Sequence, residues 1–178
     1  MDSLGIPYVV ILADIDEKAI RDENLIVRAE KIARAKAENV LQNHEGIIIA
    51  ADTFVAVAGR ILEKPQSLEE AKKMLTIQSN HSGTLYTGFC YIDKANNINY
   101  STTSMVKYTL RVLPDEEIAN FVANNPVMDW AGAFSTIYLY QMGFMAKIDG
   151  SPTGLYGLPV DLLVPCLQKS GVKIKSTS

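Results

Sequence analysis

The side chains with the clearest chemical potential in this chain are a few carboxylates and lysines, beginning with the stretch Gly46–Thr53, GIIIAADT. Ile47 to Ala50 form an apolar run with no alternating polar side, which reads as a strand covered on both faces. That places Asp52 at the carboxyl end of the strand, where open α/β sheets hold their ligands. A carboxylate there is costly unless it is hydrated, paired or bound to a metal, and the plain alternative is a strand-end Asp that caps the next turn. Upstream, Asp14, Asp16 and Glu17 put three carboxylates in four residues. They read either as oxygen ligands for a hard cation such as Mg²⁺ or as a solvated turn leading into a helix.

Two lysines complete the set. The apolar positions Leu25, Ala29, Ile32, Ala33, Ala37, Val40 and Leu41 recur at helical spacing between Asn24 and about Asn43. Lys36 falls on that inward face, while Arg28, Lys31, Arg34 and Glu38 read as the solvent face. An inward lysine either snorkels its ammonium to the edge of the core or meets an anion in a polar cleft. Lys64 precedes Pro65, which fixes the direction of the chain, so it is either a held phosphate contact or an exposed loop lysine.

The elements that must position these residues follow in order. Tyr8–Leu12 predicts a strand. Phe54–Val57 and Arg60–Leu62 predict a hairpin turning at Ala58-Gly59. Ser67-Leu68-Glu69-Glu70 has capping-box spacing and opens a helix to about Gln78. Thr84–Ile92 and Ile98 to about Val112 predict two strands, the second alternating wet and dry and therefore antiparallel to a neighbour, in a mixed sheet. Pro114-Asp115-Glu116-Glu117 opens a helix that ends at Asn124-Asn125-Pro126. Asp161–Gln168 predicts a last helix, with Pro165 acceptable only in its first turn, and Lys173–Ser178 a strand fragment or frayed tail.

Composition narrows the class. The chain has 178 residues, 48% of them hydrophobic, which suits one ordinary α/β domain. With 20 acids against 17 bases and no basic tract, polymeric nucleic acid is not an expected partner. No apolar run approaches the ~20 residues of a membrane helix, and nothing reads as a signal peptide. Cys90 and Cys166 lie far apart in apolar surroundings, as buried free thiols do, so a cytoplasmic location is expected. His44 and His81 sit in polar loop contexts, and no cysteine or histidine spacing points to zinc.

The ordered set Asp14-Ile15-Asp16-Glu17, Ala33-x-x-Lys36-Ala37, Ala51-Asp52-Thr53, Lys64-Pro65, Tyr86-Thr87-Gly88, Asp129-x-Ala131-Gly132-Ala133-Phe134 and Gly157-Leu158-Pro159 resembles the Maf family of nucleoside triphosphate pyrophosphatases over nearly the whole chain. The resemblance implies an α/β fold like that of the inosine triphosphate pyrophosphatases, with a central mixed sheet, two lobes around a cleft and a homodimeric assembly. It implies metal-dependent hydrolysis of a nucleoside triphosphate, with Mg²⁺ or Mn²⁺, to the monophosphate and pyrophosphate. On that mapping Asp52 is the proton acceptor, Glu17 joins it at the metal, and Lys36 and Lys64 bind phosphate. Thr53 corresponds to the position occupied by threonine in forms preferring dTTP and UTP, and by glutamine in forms preferring 7-methylguanosine triphosphate.

The sequence also departs from the family pattern. The usual amino-terminal Ser-x-Ser-Pro-Arg-Arg segment has no counterpart, and Met1–Pro7 corresponds to what normally follows it. Two arginine contacts to phosphate are charge-assisted and often bidentate, so the alternative expectation is a catalytically impaired relative that binds nucleotide or a protein partner and regulates septum formation or cell division. Ile137 stands where the family usually has a glutamine tied to base selection, and an alkyl side chain supplies no hydrogen bonds. Ser79–Gly83 likewise differs from the usual Ser-Gly-Arg-Thr-His. An inosine triphosphate pyrophosphatase is a third reading.

Overall fold

The computed structural model describes residues 4–135, 138–139 and 142–174. Its elements run in the order α1 (Leu25–Leu41), β1 (Ile47–Val57), β2 (Arg60–Leu62), α2 (Leu68–Gln78), β3 (Ser82–Asp93), β4 (Ile98–Leu110), α3 (Asp115–Asn124), β5 (Met145–Asp149) and α4 (Val160–Lys169). The strands form one sheet in the order β2-β1-β3-β4-β5. The architecture is α/β, a five-stranded sheet with flanking helices, and the β1–β2 and β4–β5 pairings are both antiparallel. No helix among the described residues is long and apolar enough to cross a membrane.

The chain divides into two compact units, and β1, β3 and β4 each contribute residues to both. In the unit made of residues 1–52, 88–103 and 158–178, α1 covers one face of the strands with Ala33 and Ala37 against Ile48, Cys90 and Ile92. The other face packs Phe89 and Tyr91 against Leu163, Cys166 and Leu167 of α4. Both cysteines are free and buried. Successive β1 residues serve the two layers in turn, Ile48 towards α1 and Ile47 and Ile49 towards α4, as the two-residue period of a strand requires.

Local sequence explains the start of α1. Asn24 caps it, its side-chain oxygen accepting from the amides of Ile26 at 3.0 Å and Val27 at 3.4 Å. Its close seat on β3 depends on Gly88. A Cβ at that position would lie 1.9 Å from the Ala29 carbonyl oxygen, so only glycine lets helix and strand backbones meet. The glycine of the Tyr86-Thr87-Gly88 motif is thus the bearing on which α1 rests.

The second unit, residues 53–87 and 104–157, holds the larger core, with Phe121, Phe134, Phe144, Leu75 and Leu110 among its buried side chains. The β1–β2 hairpin turns on Ala58 and Gly59, both with positive φ, the twist-matched two-residue loop. Ser67 caps α2 by accepting from the Glu70 amide at 3.1 Å. Tyr108 donates to Gln78 at 2.6 Å, and Gln78 in turn donates to the carbonyls of Met74 and Gly132. This buried polar chain anchors the turn of Gly132, whose φ is 69°, so the Ala131-Gly132-Ala133 motif has a structural duty.

Three expectations are corrected here. Tyr8–Leu12 is not a strand but an irregular segment with Val9 and Leu12 almost fully exposed, because no neighbouring strand takes up its backbone. The first half of β1 is mostly half-buried rather than covered throughout. β2 pairs only with Val55–Val57, so among the described residues the earlier part of β1 has one open edge. Pro165 lies well inside α4 and not in its first turn. It is tolerated because Pro165 and Asp161, whose carbonyl loses the usual donor, both lie on the exposed face. Residues 175–178 lie outside the described residues.

Candidate active site

Asp52 does not end its strand, because β1 continues to Val57 and carries the carboxylate at mid-strand. Lys36 projects from α1 and resolves the choice between snorkelling and pairing in favour of pairing. Its Nζ lies 2.7 Å from Asp52 Oδ1 and 2.8 Å from Glu17 Oε1. The lysine and Asp52 side chains are only 20% and 13% exposed, which makes this a held cluster rather than a solvated surface pair. Burial by itself would pull the ammonium's pKa down. Hydrogen bonds to Asp52 and Glu17 more than reverse this, and it stands above the ordinary lysine value.

The acidic stretch divides its labour. Asp16 turns its carboxylate back on the amides of Lys18 and Ala19, the turn reading of the sequence. Asp14 engages α1 through its backbone, donating to Asn39 Oδ1 at 3.0 Å and accepting from Asn39 Nδ2 at 3.2 Å. Of the three carboxylates, Glu17 alone joins Asp52. Among the described residues no three acidic, histidine or cysteine side chains gather as a metal cage.

The donor set nonetheless suits a hard cation. Lys36 occupies one oxygen of each carboxylate, and among the described residues Asp52 Oδ2 and Glu17 Oε2 carry no hydrogen bond. Mg²⁺ usually takes one or two protein carboxylates and completes its shell with water and substrate phosphates. Two carboxylates and one ammonium leave the cluster with one net negative charge, which a divalent cation would reverse. Glu17 and Lys36 border a cavity of about 1070 Å³ that runs along the open edge of β1 from Ile47 to Ala51, with the exposed segment around Tyr8 on its other side. Ligand pockets span about 300–1,000 Å³, so this space is ample.

The other residues singled out from the sequence belong to the second unit. Thr53 follows Asp52 along β1 and by strand alternation points to the opposite face. Its hydroxyl is 3.0 Å from that of Thr87, and Gly157 lies close enough that an added Cβ would sit 3.3 Å from Thr53 Oγ1. The glycine of Gly157-Leu158-Pro159 therefore leaves room beside this threonine. Lys64 is exposed on the connection after β2, and Pro65 beside it is buried. Among the described residues the Lys64 ammonium has no ion-pair partner. Ile137 lies outside the described residues.

Sequence reasoning missed Asn39 and misplaced Arg28. Arg28 is buried, donating from Nε to the Ile20 carbonyl at 3.2 Å, because the residue 14–22 segment folds over the helix face that periodicity assigns to solvent. Periodicity on α1 gives no sign of a covering loop from another part of the chain.

The molecule is thus an α/β protein whose helix-covered sheet carries a lysine clasped by two carboxylates at the border of a solvent cavity. Comparison with known proteins gives the family. The chain belongs to the Maf-like proteins, whose family profile matches residues 1–170. It is 36% identical over 177 residues to a dTTP/UTP pyrophosphatase of Syntrophomonas wolfei, covering 98% of this chain and 92% of that protein. A Treponema denticola protein of the same description is 35% identical, with coverage of 98% and 92%. A nucleoside triphosphate pyrophosphatase of Rickettsia canadensis is 37% identical, with coverage of 95% and 85%.

Proposed function

We propose that this chain is a nucleoside triphosphate pyrophosphatase. The observation that carries the reading is the Lys36 ammonium bonded to both Asp52 and Glu17, in a chain whose relatives bear that description. A water attacks the α-phosphorus of the nucleotide, its proton passes to a base, and the bond from that phosphorus to the bridging oxygen breaks. Pyrophosphate leaves with the electron pair and the nucleoside monophosphate remains. Asp52 is the proton acceptor. Lys36, fixed as a cation, counters the charge on the phosphate oxygens.

Asp52 and Glu17 would hold Mg²⁺ or Mn²⁺ through their second oxygens. Such a cation, when bound, neutralises phosphate oxygens and orients water. Lys64, whose ammonium has no ion-pair partner among the described residues, is a phosphate ligand in this reading, and Thr53, together with the relatives' description as dTTP/UTP pyrophosphatases, favours dTTP and UTP.

The test measures pyrophosphate released by the purified 178-residue chain from dTTP, UTP, 7-methylguanosine triphosphate and ITP with Mg²⁺ or Mn²⁺. Release from dTTP and UTP well above an Asp52→Asn control is expected. Release no greater than that control with every nucleotide would reject the reading, and preference for ITP would reject the substrate assignment.

A further inference from the structure

The segment from Asp14 to Asp22 runs along α1 from near its carboxyl end towards its first turns, pinned at four residues. Asn39 grips the backbone of Asp14 in both directions, Lys36 takes Glu17, Arg28 takes the Ile20 carbonyl, and Lys31 binds Asp22 at 2.8 Å. Glu17 itself is 49% exposed and lies in a turn, with no packing to fix its rotamer. Its backbone neighbours three residues to either side are the ones held. The Asn39 amide acts like one rung of a β-ladder, a donor and an acceptor meeting the amide and carbonyl of a single residue. Asn39 and Lys36 stand three apart on the helix, on neighbouring faces of one turn, so a chain fixed at Asn39 arrives over Lys36.

We infer that Asn39, seconded by Arg28, is a positioning residue that delivers Glu17 to the Lys36–Asp52 pair. This rests on the catalytic reading above but adds a residue that never touches substrate. Ion pairs at a half-exposed glutamate are weak when both partners are free to wander. The two backbone clamps remove that freedom beforehand, so that the carboxylate is ordered without relying on the pair itself.

The experiment compares wild type, Asn39→Ala, Arg28→Met, Glu17→Gln and the Glu17→Gln/Asn39→Ala double variant. In limited trypsin digestion, Asn39→Ala is expected to speed cleavage after Lys18, an exposed site inside the clamped segment, with the thermal midpoint of the whole chain nearly unchanged. Arg28→Met is expected to do the same to a lesser degree. In pyrophosphate release, Asn39→Ala should lower kcat/KM about tenfold in the presence of Glu17 and cause no further loss in the Glu17→Gln background. Unchanged cleavage at Lys18, or a second tenfold loss in the double variant, overturns the inference. If the wild-type chain releases no pyrophosphate, the catalytic reading fails separately and the digestion alone decides whether Asn39 holds the segment.

Discussion

The two units each hold a polar arrangement, and the two are built on opposite terms. In the second unit Tyr108, Gln78 and the Gly132 carbonyl form a closed chain in which each buried donor meets an acceptor, at near-zero exposure. In the first, Lys36 holds two carboxylates by one oxygen apiece, and among the described residues their other oxygens take no hydrogen bond, while Glu17 and Lys36 border a cavity. A satisfied network has nothing left to offer a ligand and serves to fix a turn. A network with spare acceptors is a poor structural device and a usable chemical one. The two differ in charge, and they differ as well in the completion of their hydrogen bonds.

Substitutions can break that contrast. The largest effect is expected from Asp52→Asn, which should reduce pyrophosphate release by about 10²–10⁴-fold, the range for losing a general base, with little change in urea midpoint. Lys36→Gln comes next. Loss of about 10²-fold in kcat is expected from removing a fixed cation aimed at phosphate, and if KM alone rose the lysine would be a docking contact only.

Alkaline titration then sharpens the comparison, because each unit buries an acid whose pKa is raised. Burial pushes the Cys90 thiol from 9.0 up to about 11, and burial pushes the Tyr108 hydroxyl further up still. A group that keeps its proton longer when folded gives stability that is full below its unfolded pKa and lost as pH rises through the folded one. Cys90 should therefore contribute about 2–3 kcal/mol at neutral pH that drains away between pH 9 and 11. Urea titrations of Cys90→Ala across that window should lack this decline, and the further loss above pH 10 should persist through Tyr108. The smallest effect belongs to Tyr108→Phe, which orphans Gln78 Oε1 and should cost about 1–2 kcal/mol by denaturant titration while leaving kcat/KM unchanged.

How much of this was legible beforehand varied with the range of the interaction. The stripe from Ala29 to Ala37, the Ser67 cap of α2 and the Ala58-Gly59 hairpin rest on neighbours a few residues apart, and each formed where local pattern placed it. Tyr8–Leu12 has the composition of a strand but pairs with none of the described strands, and composition carries no record of partners. In the site, the inward Lys36 was legible as an anomaly on an apolar face. Its partners Asp52 and Glu17 were candidates from their local patterns, each with a plain alternative, and the structure joins them to it. Asn39 left no trace, because an amide on a helix looks the same whether it faces water or a backbone 25 residues away.

The contact between the Ala29 carbonyl and Gly88 has a mechanical consequence. With the helix backbone seated directly on the strand, α1 has no space to slide or roll where Ala29 and Ala33 meet β3. Transfer of the ammonium from carboxylate to an incoming phosphate must then proceed by rotation about side-chain bonds. On the proposed function, the exchange of partners at this lysine therefore leaves the seat of α1 on β3 undisturbed.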